Sequence, residues 1–477
     1  MSRHTAFRYC LDPTVEQSDA LARHAGAARF AFNHSLHVVK AALEQRKSCP
    51  EYRVPWTRFD LINTFNAWKK TAAAGRIFVV REDGIIEVQA TGLVWRSQVC
   101  QQVFEEAAVD CSRALAAFSD SRKGKRAGKR VGFPRFKRKN RSVPSFRIRN
   151  KHTKAGWTAI RIGDDQIARS VTLPGIGAVR VRDDTRRLRR LLAKERAKIL
   201  YATVTYRARR WWVSLTLEAS DLHSAHHHQP REQGDSRGWV GIDRGLTVFA
   251  VAATADGTEV ARIDTAPKPL GTELSRQRRL AKSVSRKKKG SQNRREAAAR
   301  LAIHHRRVAD IRRHFAHQVA NRLVKTHDRL VIEDLNVAGM LSNRRLARAI
   351  SDVGWADFAR LLTYKQAWRS GTVATADRWY PSSKRCSACG RVNPDLALTD
   401  RVFLCECGFH ADRDHNAAIN LAAWPTIHQN SQRSPDPRAG GRVTKVRRRE
   451  GTDRYPSGVG ETGPGEAETN VHAAFAV

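Results

Sequence analysis

The stretch Trp239-Val240-Gly241-Ile242-Asp243 decides how this chain folds. Four uncharged residues end on a carboxylate, the pattern of a strand buried on both faces whose last residue reaches a sheet edge. Downstream, Leu246–Ala253 and Glu259–Ile263 read as two more strands, joined by the turn Asp256-Gly257. A long helix should follow, because Val308, Ile311, Phe315, Val319 and Leu323 recur at helical spacing. Then Arg329-Leu330-Val331-Ile332-Glu333 repeats the opening motif, an apolar strand closing on an acid. A helix around Trp355–Trp368 and a strand Thr372–Ala376 come next. A third acidic cluster, Asp412-Arg413-Asp414, precedes the helix start His415-Asn416-Ala417-Ala418-Ile419-Asn420.

Glu333 lies 90 residues after Asp243, and Asp414 lies 81 after Glu333. These intervals fit a ribonuclease-H-like α/β fold. Carboxylates from separate elements, converging on one sheet edge, offer the oxygen ligands that Mg²⁺ requires. Two such ions activate water and stabilise the leaving oxygen in phosphodiester hydrolysis. An acid after a strand is, taken alone, more often a helix cap than a catalyst. Three of them in a strongly positive chain point to a nuclease or a strand transferase.

The eight cysteines divide evenly. Cys10, Cys49, Cys100 and Cys111 are scattered like ordinary reduced thiols. Cys386-x₂-Cys389 and Cys405-x-Cys407, fifteen residues apart, have zinc-ribbon spacing, and four thiolates close a tetrahedral structural site. The second knuckle is one residue shorter than usual, so His410 stands as an alternative ligand.

The chain has 477 residues, with 87 Lys+Arg against 46 Asp+Glu, a net charge of +41. Hydrophobic residues make up 41%, enough for a real core. Such an excess of charge repels itself unless a polyanion covers it, so nucleic acid is the expected partner. No apolar run is long enough to span a bilayer. The N-terminal segment Met1–Leu11 has neither a signal-type core nor a lipidation motif, so the chain reads as soluble and cytoplasmic, with access to the nucleoid.

In the first half, Thr5–Leu11 is extended and stopped by Pro13, and Thr14 with Gln17 makes a capping box that opens a helix. Helices are expected over Arg58–Lys70 and Leu93–Phe118. The basic run from Ser121 through Phe133-Pro134-Arg135-Phe136-Lys137-Arg138 to Phe146-Arg147-Ile148-Arg149 interleaves cations with aromatics, which suits backbone neutralisation plus base stacking. Arg135, Lys137, Arg138, Arg147 and Arg149 are therefore candidate nucleic-acid contacts. So are Arg294 and Arg295, which open a seven-arginine face on the long helix. From Ser170 to Glu218 alternation predicts a small barrel or curled sheet, with a hairpin of Ile199–Tyr206 and Trp211–Leu217. Leu222–Gly238, with His226-His227-His228, reads as a linker between halves rather than a metal site.

Several of these segments together resemble the TnpB family of transposon-encoded, RNA-guided DNA nucleases. They are GIDRG (241–245), IEDLNVAGM (332–340), YPSSKRCSACG (380–390), DRDHNAAINLA (412–422), YCLDPTVEQ (9–17), ARFAFN (28–33) and FPRFKRKNRSVPSFR (133–147). The resemblance spans about residues 5 to 424. It implies an α/β multidomain chain with these boundaries: a wedge-like β-barrel over 1–220 carrying a helical recognition insertion at about 12–120; a linker over 221–238; and a RuvC-type nuclease domain over 239–424 with the zinc ribbon inserted at 384–409. The tail over 425–477 lies outside the resemblance, and its wealth of Pro, Gly, Ser and Arg predicts disorder. It implies catalytic acids at Asp243, Glu333 and Asp414, choosing Asp414 over Asp412 because the family's acid stands two residues before the Asn of Asn-Ala-Ala. These would hold two Mg²⁺ ions, while Cys386, Cys389, Cys405 and Cys407 would hold Zn²⁺. The expected partners are a guide RNA from the transposon end and a double-stranded DNA target, in a monomeric ribonucleoprotein that cuts beside a short flanking motif. The rival readings are a guided DNA-binding regulator with a silent nuclease, and a transposase that performs strand transfer itself. The first would have lost a site acid, and the second would act without RNA.

Overall fold

A computed structural model describes residues 3–126, 128–139, 141–151, 158–164, 166–219, 227–232, 237–397 and 399–431. The chain divides between Leu222 and His223 into two compact units.

In the first unit, strand β1 (Arg3–Asp12) runs into helix α1 (Val15–Ser48) through Pro13 and Thr14. The Thr14–Gln17 capping box forms as the sequence predicts. Helix α2 (Arg58–Trp68), the hairpin β2 (Arg76–Val80) and β3 (Ile86–Thr91), and helix α3 (Gln101–Arg122) follow. Then come β4 (Ser145–Arg149), β5 (Arg161–Ile162), β6 (Ser170–Leu173), β7 (Gly177–Val181), α4 (Arg186–Ala193), β8 (Ala197–Arg207) and β9 (Arg210–Ala219). Seven strands form one antiparallel sheet in the order β4-β8-β9-β1-β7-β6-β5. β1 joins its two halves, pairing with β9 along most of its length and with β7 through Leu11 and Asp12. The expected barrel is thus a sheet whose end strands β4 and β5 are not joined by a ladder among the described residues. On β9, Trp211, Val213, Leu215, Leu217 and Ala219 alternate inward to a core shared with Leu21, Leu36, Phe104 and Leu115 of α1 and α3.

Three expectations change here. The tetrapeptide Phe146-Arg147-Ile148-Arg149 is strand β4, with Phe146 and Ile148 buried and the arginines alternating outward. Its period of two is a sheet signal, which the charge run obscured. The 93–118 helix is a 3₁₀ turn at Val94–Gln98 followed by α3. The β2–β3 hairpin was not foreseen, because its apolar residues stay exposed and give no burial pattern.

The second unit holds β10 (Trp239–Asp243), β11 (Ala250–Thr254), β12 (Glu259–Ile263), α5 (Pro269–Thr272), α6 (Leu274–Ser285), α7 (Gln292–Thr326), β13 (Arg329–Glu333), α8 (Val337–Met340), α9 (Ala347–Val353), α10 (Trp355–Ala367), β14 (Thr372–Ala376), the small hairpin β15 (Val402–Leu404) and β16 (His410–Asp412), and α11 (Arg413–Ser431). Its five-stranded sheet has the order β12-β11-β10-β13-β14. β11 lies antiparallel to both β10 and β12, and β13 lies parallel to β10 and β14. This is the ribonuclease-H-like arrangement that the spacing of the acids suggested.

Both sheet faces are covered, so the central strands β10, β11 and β13 are largely apolar. Val240, Ile242, Leu330 and Ile332 pack with Val319, Leu323, Phe358 and Leu362 of α7 and α10. On the other face, Val251 and Ala253 meet Ala418 and Ile419 of α11, while Val331 and Ala376 meet its Leu421. Of the foreseen α7 stripe, Ile311 is exposed instead. The strand expected over Leu246–Ala253 begins only at Ala250. Helix α11 continues through Ser431, seven residues past Trp424, so this part of the expected tail is helical; the rest lies outside the described residues. His227 and His228 of the expected linker pack within this unit. His228 Nε2 lies 2.9 Å from the Val324 carbonyl, and His227 Nδ1 lies 3.3 Å from the Ser370 hydroxyl. His226 lies outside the described residues. Among the described residues no helix is long and apolar enough to cross a membrane.

Candidate active site and metal centre

Parallel pairing sets the first two acids side by side. Ile242 lies opposite Ile332, so Asp243 and Glu333 emerge together where β10 and β13 end. The third acid, Asp414, is in the first turn of α11, which crosses the same strands. That crossing is unusually close. A Cβ on Gly241 would stand 2.0 Å from the Ala418 carbonyl and 2.4 Å from the Ala422 nitrogen, so only glycine lets the helix backbone rest on the strand. Gly245 has a similar role: a Cβ there would meet the Val248 carbonyl at 2.6 Å, on the side that faces Asp414.

All three carboxylates are half-buried. Asp243 is held well above the usual carboxylate range, first by burial and then by the negative charges of Glu333 and Asp414. The structure therefore brings the three acids together. Asp412 is elsewhere. Its Oδ1 accepts the His415 backbone N–H at 2.9 Å, capping α11, and pairs with Arg262 at 3.3 Å.

Two neighbours hold the site that sequence reasoning missed. The buried Arg244 donates to the Glu333 carbonyl and, at 3.4 Å, to the Trp355 carbonyl. Burial pulls its guanidinium below the ordinary value, while the charges of Glu333, Asp243 and Asp334 oppose that shift. The buried Ser382 donates its hydroxyl proton to Glu333 Oε1 at 2.8 Å. Ser382 is tied in turn to α11, because Asn420 Nδ2 donates to its carbonyl at 2.8 Å. The motif Pro381-Ser382-Ser383 carries no sign of this role, since it depends on a contact 49 residues away in sequence.

The four clustered cysteines form the second centre. The Sγ atoms of Cys386, Cys389, Cys405 and Cys407 all lie within 4.8 Å of one another. Cys386 and Cys407 approach to 3.7 Å, and Cys389 and Cys405 to 3.6 Å. A tetrahedral ion with metal–sulfur bonds of about 2.3 Å separates its ligands by about 3.8 Å, so the set fits Zn²⁺. The short knuckle succeeds because its turn closes at once. Gly408, at φ +86°, donates to the Cys405 carbonyl at 3.0 Å, and Cys405 donates to the Phe409 carbonyl at 3.0 Å. The Cys389 thiol is lowered to about 7, chiefly by the Arg391 backbone N–H. His410, the alternative ligand, is an exposed residue of β16 paired with Leu404, outside the clustered group.

The basic candidates separate into two sets. Arg135 and Arg138 are exposed, as is Arg295, whose guanidinium reaches the Gly290 carbonyl at 3.1 Å. The others also make contacts within the fold. Arg147 pairs with Asp110 at 3.2 Å and Glu106 at 3.7 Å. Arg149 pairs with Glu106 at 2.7 Å and Glu105 at 2.8 Å. The Lys137 ammonium sits 3.8 Å from the centre of the Phe32 ring. Arg294 closes the end of α6 through the Val284 carbonyl at 2.7 Å.

Known families and proteins are similar to this chain along most of its length. Residues 223–344 match the family OrfB_IS605, described as "Probable transposase", and residues 355–421 match "Cas12f1-like, TNB domain". Residues 1–48 match a family described as "Helix-turn-helix domain", although here they form one strand and one uninterrupted helix. The "Putative RNA-guided DNA endonuclease MT2953" of Mycobacterium tuberculosis (strain CDC 1551 / Oshkosh) is 35% identical over 433 residues, covering 88% of this chain and 86% of that protein. The "Putative RNA-guided DNA endonuclease InsQ" of Escherichia coli (strain K12) is 27% identical, covering 89% and 92%. Among solved structures, the "Cas12f1-sgRNA-target DNA complex" aligns with a TM-score of 0.46 at 12% identity, over 88% of this chain and 99% of that one.

Proposed function

The chain belongs to the TnpB family, and from that premise we propose that it is an RNA-guided DNA endonuclease. The observation that supports this best is the meeting of Asp243, Glu333 and Asp414 at one edge of a ribonuclease-H-like sheet. Three carboxylates gathered at one sheet edge, with Asp243 raised first by burial and then by the charges of the other two, are a donor set suited to a hard divalent cation. In this reading they hold two Mg²⁺ ions, which supply water activation and charge stabilisation at the scissile phosphate. The chain's own contribution is positional. Ser382 and Arg244 fix the side chain and carbonyl of Glu333, and the close seat of α11 on Gly241 sets Asp414 against Asp243. The four cysteines hold Zn²⁺ as a structural centre. The guide RNA comes from the end of the transposon and selects the target by pairing, while the protein reads a short duplex motif beside it. The assembly is one protein per guide RNA and works in the cytoplasm on nucleoid DNA.

The test uses protein purified with its bound RNA, which is sequenced and used to build a matching target flanked by randomised bases. The wild type should cut that target in Mg²⁺, only beside a subset of flanks, and leave no joined products. Asp243→Ala should bind it equally well and leave it whole. Undiminished cutting by the variant, or activity on transposon ends without RNA, would sink the assignment.

A further inference from the structure

Beyond the carboxylates, the turn that follows β14 carries a feature the fold itself does not use. Ala376 ends β14 directly opposite Glu333, and Asp377 to Ser382 follow. Nearly every residue of this turn is anchored. Asp377 Oδ1 accepts the Trp379 backbone N–H at 2.8 Å, and the Asp377 carbonyl accepts that of Tyr380 at 3.0 Å. Arg378 forms an ion pair with Asp334. The Tyr380 hydroxyl donates to the Asn420 carbonyl at 3.2 Å, and Ser382 holds Glu333. The exception is the indole of Trp379. It is 85% exposed, the most exposed large apolar side chain among the described residues.

A lone exposed apolar residue is by itself ordinary on a protein surface. This one sits on a pinned turn and lines an open pocket of about 390 Å³ with Asp334, Thr375, Ala376, Asp377 and Arg378. Three peptide units separate it from Ala376, so its Cα lies within about 11 Å of the residue paired with Glu333. The surface is too small to dock a protein. A specific interface buries about 1,200 Å² or more, whereas one tryptophan supplies roughly 250 Å², and no other large apolar side chain lines the pocket. A flat aromatic face of that size does match one nucleobase. Stacking suits any base and needs it unpaired, because both faces are already covered in a duplex.

We propose that Trp379 is a stacking platform for one unpaired base of the DNA strand being cut. It is a positioning residue: by holding a base it sets which phosphate lies at the three carboxylates. The inference rests on the nuclease reading for the identity of the strand, and on the geometry of the turn for the stacking itself.

The test uses the full chain with its RNA, in an Asp243→Ala background so that bound DNA stays intact. The probe is an oligothymidylate of about 12 nucleotides carrying a central 2-aminopurine, whose fluorescence is quenched by stacking. Binding should quench the probe. Adding Trp379→Ala should restore the fluorescence, whereas Trp379→Phe should keep most of the quench. In the cutting-competent protein, Trp379→Ala should raise the half-saturating concentration of single-stranded substrate about tenfold or more, or spread the cut positions. Equal quenching in the alanine variant overturns the proposal, as does a phenylalanine variant as defective as alanine. Absence of guided cutting by the wild type would instead overturn the nuclease reading. The fluorescence comparison needs no cleavage and still decides whether Trp379 stacks a base.

Discussion

At the scale of single residues, Asp243 shows the conflict that clustered, half-buried acids build into a fold. In the metal-free protein its carboxyl is raised by burial and by Glu333 and Asp414. An unfolded aspartate titrates near 3.9, so both states are protonated below that pH and the folded state is not penalised. As pH rises through the raised folded value, ionisation beside two other carboxylates costs stability. Asp243→Asn keeps the shape and removes the charge. It should therefore melt higher than the wild type in EDTA, by about 1–2 kcal/mol at neutral pH, with the gap closing toward pH 4. Thermal melts of both proteins across that range check this, and a gap independent of pH would contradict it. The position of this acid was legible because a hydrophobic run ends on it. Its partners were not: Ser382 and Arg244 act on Glu333 across 49 and 89 residues, and single-residue types carry no trace of such distances. Gly241 falls between. The sequence shows a glycine inside a strand, but only the structure shows the helix backbone lying where a side chain would go.

At the scale of elements, legibility followed burial. Strands β10 and β13 were foreseen because both their faces are covered. Strand β4 was hidden inside a basic run because two of its five residues are arginines, and these cations answer Glu105, Glu106 and Asp110 of α3. The β2–β3 hairpin left no signal, since Phe78, Val80, Ile86 and Val88 are all exposed. The four-cysteine segment, proposed above as a zinc ribbon, is the clearest case of an element with a consequence. It is inserted between β14 and α11, and its contacts run to the helix that carries Asp414. Asn416 and Asn420 of α11 both donate to the Arg385 carbonyl, at 2.7 and 2.6 Å, and Asn416 accepts the Ser387 N–H at 3.0 Å. Loosening the knuckles should free both the turn that holds Glu333 and the helix that carries Asp414. We expect Cys389→Ser, or prolonged chelation, to release one zinc per chain and to cut activity at least tenfold. The first unit should still melt normally. Zinc analysis beside cleavage assays decides it, and full activity in zinc-free protein would show the ribbon to be independent of the site.

At the scale of the whole molecule, the net charge of +41 has to be divided between cations the fold consumes and cations it presents. Lys137, Arg147, Arg149 and Arg294 belong to the first class, so alanine there should weaken folding more than RNA binding. Arg135 and Arg138 are exposed and belong to the second, with the exposed cations of the Ser121–Arg130 run such as Lys123, Lys125 and Lys129. A surface so charged is unfavourable alone and becomes favourable when a polyanion displaces its counterions. Two linked outcomes follow. The RNA-free protein should gain thermal stability from added salt, because screening relieves self-repulsion. The complex should respond oppositely, its affinity for the guide RNA falling about 10³-fold or more between 50 and 200 mM salt if six or more phosphates are contacted. The double substitution Arg135→Ala/Arg138→Ala should reduce that salt slope by roughly one to two units without lowering the melting temperature. Titrations of the RNA at several salt concentrations, set beside melts of the free protein, separate the two classes of cation. A salt slope near zero, or a double variant with an unchanged slope and a lowered melt, would mean that these arginines serve the fold and that the guide is held elsewhere.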